Sequence, residues 1–231
     1  MKSVIVTTSW DDGHVLDERL AALLSTYEIS GTFYIAPHNR EFGKQSLLSG
    51  ERVRALSRRF EIGAHTMTHP RLPRVRDEEA RKEIIDSKNY LETLLDKPVV
   101  SFCYPGGAHT EALKQMVHEA GFRMARTVER GRMDRGVDNF AVPTTIHAYQ
   151  HWSDIPQHFR SFDSSTMKRI FNWDVAAREV FDRCLTEGGV FHLWGHSWEI
   201  DENQDWGRLE MLLAHIARRE NVTYLTNGEL V

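Results

Sequence analysis

The sequence predicts an α/β fold in which a parallel sheet closes into a barrel of seven or eight strands. Three observations predict it. Short apolar, β-branched runs alternate with amphipathic helical stretches along the chain, and such alternation builds right-handed βαβ units. There are seven or eight of these repeats, enough to close a barrel. At 231 residues the chain can bury one full α/β core.

The elements follow in order. Val4–Ser9 reads as a short apolar strand, and Asp17–Tyr27 as a helix with Leu20, Leu23 and Leu24 at helical spacing. Thr32–Ala36 is aromatic and β-branched, a second strand. Glu51–Arg59 reads as helix and Phe60–Gly63 as strand. Asp77–Leu95 is a long amphipathic helix with Ala80, Ile84, Leu91 and Leu95 on one face. Val99–Cys103 is a strand, Thr110–Ala120 a helix and Phe122–Thr127 a strand. After Ala141–Thr145 the chain is irregular and aromatic to about residue 172. Val175–Leu185 is helical, Gly189–Trp194 a strand, Leu209–Arg219 a helix and Val222–Thr226 the last strand. There is no internal repeat, low-complexity segment or linker. Residues 128–172 read as excursions from a single domain spanning 1–231.

Composition narrows the function. The 29 basic and 33 acidic residues leave a net charge of −4, which gives no reason to expect nucleic acid or an anionic membrane as partner. No apolar run approaches the roughly 18 residues that span a bilayer. Lys2 is not followed by an apolar stretch before Asp11, so the chain reads as cytoplasmic or as a mature form with its signal removed. Cys103 and Cys184 form neither a disulfide framework nor a CxxC pair, and each is expected to be a buried thiol.

Chemistry in a parallel barrel gathers at the C-terminal ends of the strands. The first strand ends in Asp11 and Asp12, with Gly13 permitting a turn. The third ends in "IGAHTMTHP", which supplies His65 and His69. The fourth ends in "FCYPGG", and the strand near residue 190 in "FHLWGHSWE". Four strands thus deliver acids and imidazoles to one rim. His65 and His69 are four apart, and a helical turn there would point both rings at one divalent metal. Alone the pair is a weak signal among 12 histidines, and two histidines at a helix start capped by Thr66 or Thr68 read as well. An aspartate from another strand end completes a two-imidazole, one-carboxylate set, which suits zinc or a related ion with open positions. The second aspartate then serves as a general base beside the metal. The bland alternative is an Asp-Asp-Gly turn with solvated carboxylates.

These residues resemble the motifs of the polysaccharide deacetylases, the NodB-homology domains of carbohydrate esterase family four. The family's T-F-D-D-G reads "SWDDG" here, and its H-[ST]-x-x-H reads "HTMTH". The resemblance covers essentially the whole chain. It implies a distorted (β/α) barrel and a hydrolase that removes N-acetyl groups from a carbohydrate with metal-activated water. It also implies one divalent ion, zinc first, with cobalt or nickel able to substitute. Asp11 then corresponds to the general base, and Asp12, His65 and His69 to the metal ligands. Gly106 falls where a backbone N–H helps bind the oxyanion, with Tyr104 and Pro105 beside it in the same substrate-binding turn.

Two motifs depart from the pattern, and a third offers two candidates. Cys103 stands where the family has the arginine that orients the base. Arg126, in "MARTV" at the next strand end, offers a replacement guanidinium, or is a solvated surface arginine. The Asp-Trp pair has no match, and His147 with the run Tyr149–Trp152 either lines the pocket instead or packs over the barrel end. The family's L-x-H histidine, its general acid, has two candidates. His196 is preferred because it lies past the strand; His192 lies within it and reads as an interior or supporting residue. Glu199 either fixes the tautomer of a neighbouring histidine or is a plain surface glutamate. The expected partner is a carbohydrate or other small amide substrate. Alternatives are hydrolysis of another linear or cyclic amide, as in the allantoinase-like members, an O-acetyl esterase, and a catalytically silent carbohydrate-binding barrel.

Overall fold

A computed structural model of the chain describes residues 3–150 and 172–231. Strand β1 (Val4–Trp10) is buried at every position but Ile5. A strand covered on both faces belongs in the middle of a parallel sheet, and β1 has three parallel partners. β2 (Thr32–Ile35) pairs with its C-terminal end, at Ser9 and Trp10. β8 (Val222–Tyr224) pairs with its N-terminal end, at Val4, Ile5 and Val6. β7 (Gly189–Gly195) runs along its whole length.

The remaining strands are β3 (Glu61–Ala64), β4 (Ser101–Cys103), β5 (Met124–Arg126) and β6 (Ile146–His147). The order is β5-β4-β3-β2-β1-β7-β6, with β8 on β1. The segment 139–148, which contains β6, hydrogen-bonds to β5 as well as to its neighbour β7. Val142 N donates to Ala125 O at 2.9 Å, and Thr145 N to His192 O at 3.0 Å. This is the distorted (β/α) barrel, with its irregularity in the sharing of β1 between β2 and β8.

The helices of the described residues are α1 (Asp17–Thr26), α2 (Gly50–Leu56), α3 (Asp77–Leu95), α4 (Glu111–Glu119), α5 (Trp173–Glu187), α6 (Ser197–Glu202) and α7 (Trp206–Ile216). α3 starts with three acids, Asp77, Glu78 and Glu79, which suit the positive end of a helix dipole. Its buried face carries Ala80, Ile84, Ser87 and Leu91 at helical spacing. α6 is an addition to the sequence reading, since six residues, SWEIDE, are too few to show a period. The main core cluster includes Val6, Phe33, Phe102, Phe181, Phe191 and Leu213, and Met124, Val142 and Leu230 form a second, small cluster. Cys103 and Cys184 are both free and buried.

Register places the rim. β1 pairs Trp10 with Gly195, so Asp11 and His196 leave neighbouring strands side by side. β2 pairs Ile35 with Ala64, and His65 follows directly. β4 pairs Cys103 with Arg126 on β5. Gly63 is needed for close approach, because a Cβ there would lie 2.4 Å from the Tyr34 ring.

Candidate active site

Asp12, His65 and His69 converge at the C-terminal rim. The expected helical turn over 65–69 is not there: these residues form an irregular loop. Thr66 and His69 take φ of +63° and +62°, and Asp12 takes +82°, all in the left-handed region that side chains disfavour. Such backbone persists only where its surroundings over-determine it. Glu83 on α3 is what holds it. Its Oε2 accepts from Met67 N and Thr68 N, both at 2.8 Å, and its Oε1 accepts from Thr68 Oγ1 at 2.7 Å.

The outcome is a compact donor set. His65 Nδ1 donates to Cys103 O at 2.8 Å, which leaves the Nε2 lone pair bare. Burial, then His69, pushes the His65 pKa down to about 4, so the ring is neutral. Its Nε2 lies 3.1 Å from His69 Nε2, and the two lie 3.8 and 3.4 Å from Asp12 Oδ1. Asn39 Nδ2 donates to Asp12 Oδ1 at 3.2 Å and Trp198 Nε1 to Oδ2 at 2.9 Å. Glu41 Oε1 lies 3.1 Å from His69 Nδ1.

Among the described residues, two other groups of ligating atoms are equally compact, Asp11–His65–Cys103 and His147–His196–Glu199. Asp11 is already engaged by a guanidinium, and burial pushes the Cys103 thiol well up so that it stays protonated. The histidines of the other group already share the Glu199 carboxylate. Two imidazoles crowded against one carboxylate make Asp12, His65 and His69 the set that fits a divalent cation.

Asp11, the adjacent residue, is held differently. The side chain of Arg126 is fully buried and bonds Asp11 Oδ1 directly. The guanidinium thus comes from β5, one strand over from Cys103. The Cys103 thiol lies 3.7 Å from the other oxygen, Asp11 Oδ2. Burial pushes the Asp11 carboxyl up, but Arg126, with His65 and His196, outweighs it and holds the group well below the usual carboxylate range. Asp11 is therefore an ionised acceptor at the edge of the cleft.

The two histidine candidates separate cleanly. His192 is 1% exposed, lies inside the barrel, and bonds Ser9 Oγ at 2.8 Å and Pro143 O at 3.3 Å. Burial, then Arg126, pushes its pKa down to about 3. His196 lines the cleft, with Nε2 3.9 Å from Asp12 Oδ2 and Nδ1 bonded to Glu199. Burial pulls its pKa down, but the Glu199 hydrogen bond, Asp12 and Asp11 raise it to about 9. Glu199 Oε2 also accepts from His147 Nε2 at 3.1 Å. His147 stacks on Trp194 with centroids 3.8 Å apart.

The cleft encloses about 330 Å³ and is also lined by Pro105, Gly106, Arg71, Arg130, Trp194 and Trp198. Gly106 has φ +62°, and a Cβ there would meet nothing within 4 Å, so its backbone faces open space. Tyr104 is not among the lining residues. Its ring is buried, its hydroxyl donates to Phe140 O at 3.0 Å, and it stacks on His109. Of the run Tyr149–Trp152, residues 151 and 152 lie outside the described residues.

Several site residues were not singled out from the sequence. Glu83 left a signal: it is a charge on the apolar stripe of α3. Asn39, Glu41 and Trp198 sit in loops or on short α6 and left none. Asp17, fully buried, accepts from Ser197 Oγ at 2.6 Å and ties α1 to the residue after His196.

Fold and site together define a class, the parallel barrels whose rim carries a two-histidine, one-aspartate group with a second aspartate beside it. The chain belongs to the polysaccharide deacetylase family, whose sequence profile matches residues 1–125. A Bacillus cereus peptidoglycan-N-acetylglucosamine deacetylase is 29% identical over 125 residues, 52% of this chain and 54% of that protein. The chain thus spans about half the length of this curated relative. Among solved structures, a Mycobacterium smegmatis protein classed with the polysaccharide deacetylases gives a TM-score of 0.73 at 15% identity, covering 99% of this chain and 88% of that one. A Streptococcus pyogenes deacetylase in complex with acetate gives 0.55 at 19% identity, covering 59% of this chain and 62% of that one. These structural likenesses are likenesses of fold. No helix among the described residues is long and apolar enough to cross a membrane.

Proposed function

We propose that the chain forms one catalytic domain, a metal-dependent N-deacetylase acting on a carbohydrate. One observation carries the reading. Two adjacent aspartates are held differently, Asp12 against the Nε2 atoms of two imidazoles and Asp11 against a buried guanidinium. A plain Asp-Asp-Gly turn needs neither arrangement. Asp12, His65 and His69 would hold the ion, most suitably zinc. When bound, such an ion supplies Lewis-acid polarisation of the acyl carbonyl and acidifies a water toward neutrality.

The chain's own groups do the rest. Asp11, ionised and held by Arg126, accepts the proton of the attacking water. The Gly106 backbone at the open side of the cleft offers its N–H to the developing oxyanion. His196, protonated at neutral pH, gives its proton to the leaving nitrogen as the C–N bond breaks. Glu199 keeps the His196 ring oriented and charged. The products are acetate and a free amine.

Family membership supports this, as do the relative named for deacetylating peptidoglycan N-acetylglucosamine and the fold shared with a deacetylase that holds acetate. The test is acetate release from N-acetylated and O-acetylated sugars, and ring opening of cyclic ureides, each with and without added zinc. Zinc-dependent acetate release from N-acetylated sugars is expected. Activity restricted to O-acetyl groups or to ureide opening assigns the site to those chemistries instead. No turnover by zinc-loaded protein leaves a carbohydrate-binding barrel.

A further inference from the structure

The mouth of the cleft is basic in a way the proposed reaction does not use. Arg71 and Arg130 both line it. Arg71 follows His69 by two residues, and its backbone is fixed. Its carbonyl accepts from Arg74 N at 2.8 Å, and the next side chain, Leu72, is 1% exposed. The Arg71 side chain is exposed and makes no hydrogen bond or ion pair among the described residues. The carboxylates that line the cleft are engaged elsewhere. Asp11 faces Arg126, Asp12 faces the imidazoles with Asn39 and Trp198, and Glu41 faces His69. A guanidinium at the rim of the cleft, carried on a fixed backbone and left unneutralised by these acids, raises the local concentration of anions. Its planar fork matches an oxyanion through two charge-assisted hydrogen bonds, which a neutral hydroxyl cannot reproduce.

We propose that Arg71, at the rim of the cleft, selects a substrate that carries an oxyanion group, carboxylate or phosphate, near its N-acetyl group. This rests on the deacetylase reading for what happens to the substrate, but not for its binding. Arg71 is a specificity residue and takes no part in proton transfer.

Matched sugars test it: N-acetylglucosamine, its 6-phosphate, its C6-carboxylate and its 3-O-lactyl ether. Binding is read from the fluorescence of the zinc-loaded protein, since Trp194 and Trp198 line the same cleft, and acetate release is read in parallel. At least one anionic sugar should bind about tenfold better than the neutral one at low salt, with most of that ratio lost at high salt. The ratio should collapse in Arg71→Gln and persist in part in Arg71→Lys. The phosphate and carboxylate arms say which oxyanion is preferred. Equal binding of all four sugars, or an unchanged ratio in Arg71→Gln, overturns the inference. Preferential binding without acetate release upholds the inference and contradicts the deacetylase reading. Acetate release at equal kcat/KM from neutral and anionic sugars does the reverse.

Discussion

Asp11 and Asp12 share one strand end, yet Asp11 faces the Arg126 guanidinium and Asp12 faces His65 and His69. In the proposed ligand set Asn at position 12 removes the one anionic donor, and a neutral amide oxygen binds a divalent cation less well. Asp12→Asn should therefore lose metal affinity and regain part of its rate at high zinc. Asn at position 11 removes a proton acceptor and leaves the ligand set intact. Asp11→Asn should hold a full equivalent of metal and lose about 100- to 10,000-fold in rate, whatever the zinc concentration. Metal content and rate on both variants check this. The pH profile checks His196. In the proposed mechanism its protonated form is the acid, so the rate should hold below its pKa and fall as pH rises through about 9. Glu199→Gln removes the hydrogen bond that favours the imidazolium, so the alkaline limb should move toward neutrality by about one unit or more. The aspartates and the His-x-x-x-His pair were legible in the sequence because their residue types announce their chemistry. The choice of His196 over His192 rested on position past a strand end, and the structure puts only His196 at the cleft. Asn39 and Trp198 were not legible, because nothing in their spacing ties them to Asp12.

Strands and loops position these groups more than helices do. β4 and β5 put Cys103 beside Arg126, which is how a guanidinium from the neighbouring strand reaches Asp11. The sequence could offer Arg126 only as one of two readings, since strand register is not written in short apolar runs. Arg126→Met should destabilise the protein by about 3–5 kcal/mol in denaturant unfolding, because Asp11 is then a buried charge without its partner. The loop over 65–69 shows the opposite failure. Spacing of four suggested a helical turn, but its backbone is set by Glu83, a residue on another element. Glu83→Gln keeps the shape and weakens the acceptor. It should leave the circular dichroism unchanged and cost about 10- to 100-fold in zinc affinity, measured by competition with a chelator.

Over the whole molecule, alternation of strands and helices was enough to read a parallel barrel, because each βαβ unit buries its apolar faces in only one handed way. The distortion was not readable. β1 gives one end to β2 and the other to β8, a pairing set by packing of the closed sheet. The same closure brings the ends of β1, β3, β4, β5, β6 and β7 to one cleft, so the proposed chemistry depends on a single shared rim. Acetate release from an N-acetylated saccharide, followed while zinc is titrated into chelator-stripped protein, tests it most directly. The rate should start near zero, rise to a plateau at one equivalent of zinc, and stay near zero throughout in Asp11→Asn. Acetate release that survives complete metal removal, or that Asp11→Asn retains in full, would overturn the metal-dependent mechanism.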